Sequence, residues 1–346
     1  MPSGNDAAGR SPESAESARS AELRELVDRL AEGTIALEYH DWNWGEGVAQ
    51  YALLVAGLTT GNDRYVSEVT DFMRRNADFH PWRPEQIMPA LAAVLLHEHT
   101  GDPVPLTLAQ RVADMLETHP RSKHGAYIAS PVRSVWVDYI YETEPFLFHL
   151  SRITGDARYE AWAIDQTLAY LMSCWNARDR LFYHVYYDAV SAPNPFYWAR
   201  ANGWTALGLI EMIELLPERY GLRPMLLRVL GQLCERLIEC QGPTGFWHTV
   251  LLDHSSSPET SATAMISLAL RRAARAGWIG GAAAAAADRS WDAVVSQIDE
   301  NGNVLNVSAE TPPGDGEDYQ AIPLGVYPWG QGFTLLAALD RLVNSE

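Results

Sequence analysis

The chain has 346 residues, 47% of them apolar and 20% charged, with a formal net charge of −18. That apolar share can build one large core, and no apolar run approaches the roughly 18 residues that a membrane-spanning helix needs. The acidic balance and the lack of grouped Lys and Arg exclude a nucleic-acid partner, since phosphate binding depends on clustered cations; an anionic ligand would have to meet isolated Arg or His side chains in a local pocket.

Residues 1–20 are small, polar and acidic, with no basic stretch leading into an apolar one. They read as a disordered tail and not as a secretion leader, which leaves residues 21–346 as a single domain. The three cysteines, Cys174, Cys234 and Cys240, lack metal-ligand or redox spacing, and an odd, sparse set of thiols suits a reducing, cytoplasmic location. No His, Asp or Glu group has metal-ligand spacing either, so neither a metal nor another cofactor is expected. Tryptophan is the compositional outlier, with twelve residues, several in short polar-aromatic clusters.

A repeat organises the chain. Thr60-Gly61-Asn62-Asp63-Arg64-Tyr65 recurs as Thr154-Gly155-Asp156-Ala157-Arg158-Tyr159 and, shortened, as Thr100-Gly101-Asp102. Each copy sits between two helical stretches, where the Gly can end one helix and the Asn or Asp can cap the next. Six stretches rich in small and apolar residues, near 45–58, 86–99, 136–153, 203–216, 260–276 and 330–343, are predicted inner helices. More charged amphipathic stretches near 20–32, 64–77, 105–118, 157–174, 222–240 and 283–297 are predicted outer helices. Short strand candidates, Phe182–Tyr187, Phe246–Leu251 and Val304–Val307, fall within connections. Six hairpins that each leave an apolar face exposed are satisfied by closing into a ring, an all-α (α/α)6 barrel; an open solenoid would need capping repeats.

Inner-to-outer turns are short, whereas outer-to-inner connections are long and carry Asp41-Trp42-Asn43-Trp44, His80-Pro81-Trp82 and the stretches 124–134, 182–200, 245–260 and 304–329. Binding residues concentrate on long loops over a rigid scaffold. All six inner helices would also point their N-termini into one bowl, a setting that favours a negatively charged ligand.

Several stretches resemble the unsaturated uronyl hydrolases of glycoside hydrolase families 88 and 105, the latter more closely. They are Trp136-Val137-Asp138-Tyr139-Ile140-Tyr141 with Pro145-Phe146-Leu147, Arg200-Ala201-Asn202-Gly203-Trp204 with Leu215-Leu216-Pro217, Gly245-Phe246-Trp247-His248, and Glu259-Thr260-Ser261-Ala262-Thr263-Ala264-Met265. The resemblance implies the same helical ring and a substrate ending in a 4,5-unsaturated uronic acid, the product of a polysaccharide lyase. It implies hydration of a vinyl ether by one general acid, followed by opening of the hemiketal. The matching acid is Asp138. Arg200 matches the arginine that engages the uronate, and its planar fork suits a bidentate carboxylate contact. His184, Asn202, Trp204, Trp247 and the less specific His248 match pocket positions, and Trp42 and Trp44 join them as aromatic surfaces. The protein is expected as a monomer or homodimer with an oligosaccharide as its partner.

Two departures stand out. Glu85 occupies the place where relatives usually carry an Asp, and Glu142 a place where Met is common. An added methylene at Glu85 shifts its carboxyl group, which matters where catalysis rests on positioning. Glu142 would raise the pKa of Asp138 and repel a uronate if both faced the pocket. Readings that remain beside the uronide hydrolase are a divergent enzyme acting on another glycoside, with Asp138 and Glu85 or Glu142 as an acid/base pair; a sugar-binding protein without catalysis; and a sugar epimerase, for which His124 and His248 are only a loose match.

Overall fold

Each recurrent turn does what its residues dictate. Gly61, Gly101 and Gly155 end helices in the left-handed region, with φ of 70°, 73° and 74°, where a residue without Cβ is favoured. The side chains of Asn62, Asp102 and Asp156 then accept hydrogen bonds from the backbone N–H groups of Arg64, Val104 and Arg158, capping the next helix. The computed structural model describes residues 12–129 and 133–344.

The outer helices are α1 (Pro12–Ala36), α3 (Asp63–Arg75), α5 (Pro103–Thr118), α7 (Ala157–Cys174), α9 (Arg223–Cys240) and α11 (Ala282–Val295). The inner helices are α2 (Trp44–Thr60), α4 (Pro89–Thr100), α6 (Tyr139–Thr154), α8 (Ala199–Leu215), α10 (Thr260–Arg275) and α13 (Pro328–Val343). A short α12 (Gly316–Gln320) lies in the last long connection. Each inner helix packs on the next, and α13 packs on α2, so the ring closes. The first outer helix starts earlier than expected: residues 12–20 are helical, which corrects the tail boundary at 20, and the Ala- and Glu-rich composition of this stretch suits a helix. The rest of the expected tail, residues 1–11, lies outside the described residues.

The two layers differ in the way the sequence announces. In α3 the buried residues are Tyr65, Val69, Phe72 and Met73, one stripe of an otherwise charged helix. In α8 every residue from Ala199 to Ile210 is buried, because an inner helix is covered on both sides. Small residues allow the inner helices to approach: a Cβ on Gly47 would lie 2.5 Å from the Pro89 nitrogen, and one on Gly332 would lie 2.8 Å from the Val48 carbonyl oxygen.

Strands form short antiparallel ribbons in the long connections. The three-stranded one pairs β1 (Ser134–Trp136) with β4 (Val185–Tyr187) and β4 with β5 (Ala192–Pro193). The two-stranded ones are β2 (Trp175–Asn176) with β3 (Leu181–Phe182), β6 (His248–Val250) with β7 (Asp253–Pro258), and β8 (Val307–Ser308) with β9 (Leu324–Gly325). The predicted strand 182–187 is therefore split between β3 and β4, with Tyr183 and His184 between them.

Candidate active site

The long connections meet over the N-terminal ends of the inner helices and enclose a cavity of about 280 Å3. Asn43 and Trp44 reach it from the start of α2, and Asp138, Tyr139 and Glu142 from the start of α6. Trp198, Arg200 and Trp204 line it from α8, while the loop Glu310-Thr311-Pro312 forms a further wall. Arg83 and Glu85 come from a separate 3-10 turn, Pro84–Gln86, and its Arg83 cap. That turn explains why the second inner helix begins at Pro89 and not at 86.

The lining is polar in an uneven way. Asn43 Oδ1, Arg83 Nε, Glu85 Oε2, Asp138 Oδ2, Tyr139 OH, Glu142 Oε2, Trp198 Nε1 and Arg200 Nε are all buried and lack a hydrogen-bond partner in the protein. Half of the atoms of this kind among the described residues thus face one cavity. Buried polar groups are ordinarily paired, so this concentration marks a site built for a ligand rich in donors and acceptors.

Asp138 holds the cap position of α6, one residue before the first turn assigned to it from sequence, and is 8% exposed. Burial pushes its carboxyl up to about 7, against the opposing pull of the Arg200 guanidinium. Glu142, one turn on, is held protonated well above the usual carboxylate range by burial and then by the nearby Asp138 and Glu85. Burial therefore dominates at Asp138, and the Glu142 carboxyl stays neutral where it was expected to repel a uronate. One turn of helix separates the two, so each reaches the cavity from the same face.

Arg200 is 1% exposed, and burial lowers its pKa to about 10. Its guanidinium lies 4.4 Å from the Trp198 ring and 5.4 Å from the Trp329 ring. Both terminal nitrogens are already engaged. Nη1 donates to the Ser308 carbonyl (2.9 Å) and hydroxyl (2.6 Å), with the Ser261 hydroxyl at 3.4 Å. Nη2 donates to the Ala309 carbonyl (2.9 Å) and the Thr311 hydroxyl (3.3 Å). Glu259, the cap of α10, anchors the same loop by accepting from the Ser308 N–H and from the Ser261 N–H and hydroxyl. The open fork expected at Arg200 is thus spent on the wall that carries Glu310 and Thr311, and only Nε remains.

Of the other residues singled out from sequence, Trp44 and Trp204 line the cavity, in edge contact with each other. Trp42 does not: it is 3% exposed, lies stacked against Phe72 and Phe79, and donates to the Gln86 carbonyl. Trp247 is fully buried and donates to the Leu237 carbonyl from α9, and so belongs to the core. Asn202 is spent on the backbone, donating to the Phe182 and Trp198 carbonyls and accepting from the Phe182 N–H. His248 lies in the β6–β7 ribbon with its ring at the Ser256 carbonyl and beside His254, outside the cavity lining. His184 stands behind the wall, packed on Trp136 and Trp198 and bonded to the Tyr319 hydroxyl at 2.7 Å. Burial, then Arg200, keep it neutral. The sequence reading missed Asn43, Arg83, Tyr139, Trp198 and the 310–312 loop as lining. Asn43 and Tyr139 adjoin residues it had chosen and Trp198 lies two before Arg200, while the 310–312 loop falls in the long 304–329 connection, where no single residue announces it.

Carboxyl groups and indole rings gathered at the mouth of a helical ring suit a polar, ring-shaped ligand such as a sugar. The profile of Glycosyl Hydrolase Family 88 matches residues 24–344, and the chain belongs to that family and is a glycoside hydrolase. It is 26% identical over 337 residues to the unsaturated rhamnogalacturonyl hydrolase YesR of Bacillus subtilis, covering 93% of this chain and 95% of the relative. Among solved structures, a possible family 105 member from Salmonella enterica serovar Paratyphi A superposes with a TM-score of 0.87 at 24% identity, over 94% of each chain. The unsaturated glucuronyl hydrolase of Bacillus sp. GL1 superposes with a TM-score of 0.73 at 16% identity, over 92% of this chain and 96% of that one. These two likenesses establish the six-hairpin fold.

Proposed function

We propose that the protein removes a terminal 4,5-unsaturated uronic acid from an oligosaccharide produced by a polysaccharide lyase, by hydrating the double bond. The observation that carries this reading is the protonated, buried Asp138 facing a cavity ringed by unpartnered polar atoms and the indoles of Trp44, Trp198 and Trp204. The cavity is near the small end of ligand sites, which run from about 300 to 1,000 Å3, and suits one terminal sugar ring more than a chain threaded through it. The name of the Bacillus subtilis relative, an unsaturated rhamnogalacturonyl hydrolase, supports the substrate class.

In this account Asp138 gives its proton to C4 of the vinyl ether, and positive charge develops at C5 and the ring oxygen. Water adds to C5 and passes its proton to Glu85. The hemiketal so formed opens: the bond from C5 to the ring oxygen breaks, C5 becomes a ketone, and C1 becomes a hemiacetal that expels the remaining saccharide. One water is consumed and no oxidant is needed. A carboxylic acid with a pKa near the working pH is the right donor for such a step, and burial supplies that pKa.

The test is a panel of lyase-generated oligosaccharides offered beside the same oligosaccharides with the double bond reduced. The unsaturated ones should be shortened by one residue and the reduced ones left intact. Equal cleavage of both sets would point to the divergent glycosidase, in which Asp138 and Glu85 or Glu142 act at the anomeric carbon.

A further inference from the structure

We propose that Arg83, and not Arg200, is the residue that recognises the substrate's carboxylate. This rests on the uronide reading above. Among the described residues, Arg83 and Arg200 are the cations lining the cavity, and they differ in what they have left to give. The two terminal nitrogens of Arg200 already donate to Ser308, Ala309 and Thr311. The Arg83 guanidinium has neither an ion pair nor a hydrogen bond among the described residues, and its Nε is buried without a partner. A free guanidinium among Glu85, Asp138, Glu142 and Glu310 is the unmatched group of this pocket.

The turn that carries it is anchored at two points. Arg83 caps the Pro84–Gln86 turn, in which Pro84 fixes the first position. Gln86 ties the turn down on both sides, accepting from the Trp82 N–H (2.9 Å) at its side chain and from Trp42 Nε1 (2.9 Å) at its carbonyl. This gives Trp42 a function from the core, as support for the segment that carries Arg83 and Glu85. The Arg83 guanidinium carbon lies 4.9 Å from the centroid of the exposed Trp82 ring, and a guanidinium held over a ring keeps its edge N–H groups available. That edge is the part that pairs with a carboxylate through two parallel hydrogen bonds. A uronate carboxylate is the partner whose charge and two oxygens fit that unpaired fork.

The experiment compares wild type, Arg83→Gln and Arg83→Lys on an unsaturated uronide and on its methyl ester. Wild type should prefer the acid. Arg83→Gln should raise KM for the acid roughly tenfold to a hundredfold, the range of a lost charged hydrogen bond, move kcat much less, and lose the preference over the ester. Arg83→Lys should recover part of the affinity, since it restores charge without the fork. If Arg83→Gln keeps the full preference for the acid, Arg83 does not bind the carboxylate, while turnover by wild type leaves the uronide reading intact. Absence of turnover of any unsaturated uronide by wild type would overturn both. Circular dichroism of each variant separates lost recognition from lost folding.

Discussion

Asp138 and Glu142 face the same cavity from successive turns at the start of α6, and each carries a buried carboxylate oxygen with no partner in the protein. Two acids placed so close in a buried site cannot both ionise cheaply. Burial raises the pKa of both carboxyl groups, and the first predictions rest on that and on what surrounds the pair.

Burial pushes the Asp138 carboxyl up to about 7. A reaction that needs its proton should therefore run at a plateau in acid and fall as pH rises through about 7, and Asp138→Asn should abolish that limb together with most of the rate. Loss of general acid catalysis costs about 10²–10⁴-fold. The variant should fold as wild type does in acid and melt above it as pH rises from about 4 toward 7, because the carboxyl ionises near 3.8 unfolded and near 7 folded. Initial rates across pH check this, and a variant with more than a tenth of the wild-type rate would remove Asp138 from the role.

Glu142 links the site to stability. Unfolded, its carboxyl ionises near 4.5; folded, burial and its acidic neighbours raise that value far above. The unfolded state loses its proton first, so the stability is fully present below 4.5 and drains away as pH rises toward the folded value, by up to about 1.4 kcal/mol per pH unit. The Glu142→Gln protein should thus gain on wild type in thermal melts as pH goes from about 5 to about 8. Parallel melting curves across that range would contradict the burial of a neutral Glu142.

Arg200→Lys should destabilise the protein even without substrate. The lysine cannot serve Ser308, Ala309 and Thr311 together, and buried carbonyl groups left unpaired cost about 1–3 kcal/mol. Denaturant unfolding measures the loss. A variant as stable as wild type but unable to tell acid from ester would restore Arg200 to the carboxylate.

Gly332→Ala tests the closure of the ring. Its Cβ would meet the Val48 backbone oxygen at 2.8 Å and the Val48 Cγ1 at 2.7 Å, and such overpacking costs about 1–3 kcal/mol. Gly221→Ala is the control, because nothing lies within 4 Å of its Cβ position. Equal melting temperatures for the two variants would mean that α13 and α2 are free to part.

The ring was legible because its signals are local. The Gly-Asn and Gly-Asp turns, the apolar stripe of α3 and the small residues of the inner helices each act within a few residues of where they are read. Asp138, Trp44 and Trp204 could be placed at the cavity for a related reason: they stand in or beside the first turns of inner helices, which the ring brings together, with Glu85 on the 3-10 turn just before α4. Trp42, Trp247 and Asn202 were misassigned because aromatic and amide side chains serve a core as well as a site, and only the partner decides. Trp42 finds the Gln86 carbonyl, Trp247 the Leu237 carbonyl and Asn202 the Phe182 backbone. Arg200 failed differently. Its place in the cavity was right, but the Ser308-to-Thr311 loop that consumes its fork lies more than a hundred residues away in the chain, beyond any reading of local pattern. Arg83 was passed over because nothing in a sequence tells a paired guanidinium from a free one.

The most direct test of the central claim is the stoichiometry of one time course, in which loss of the ultraviolet absorbance of the conjugated double bond is followed together with release of the shortened oligosaccharide. Hydration at C5 destroys the chromophore in the step that commits the glycosidic bond to break, so the account predicts one double bond lost for each bond cleaved, with both processes suppressed in Asp138→Asn. Release of a uronic acid that still absorbs would mean displacement at the anomeric carbon and would contradict the account.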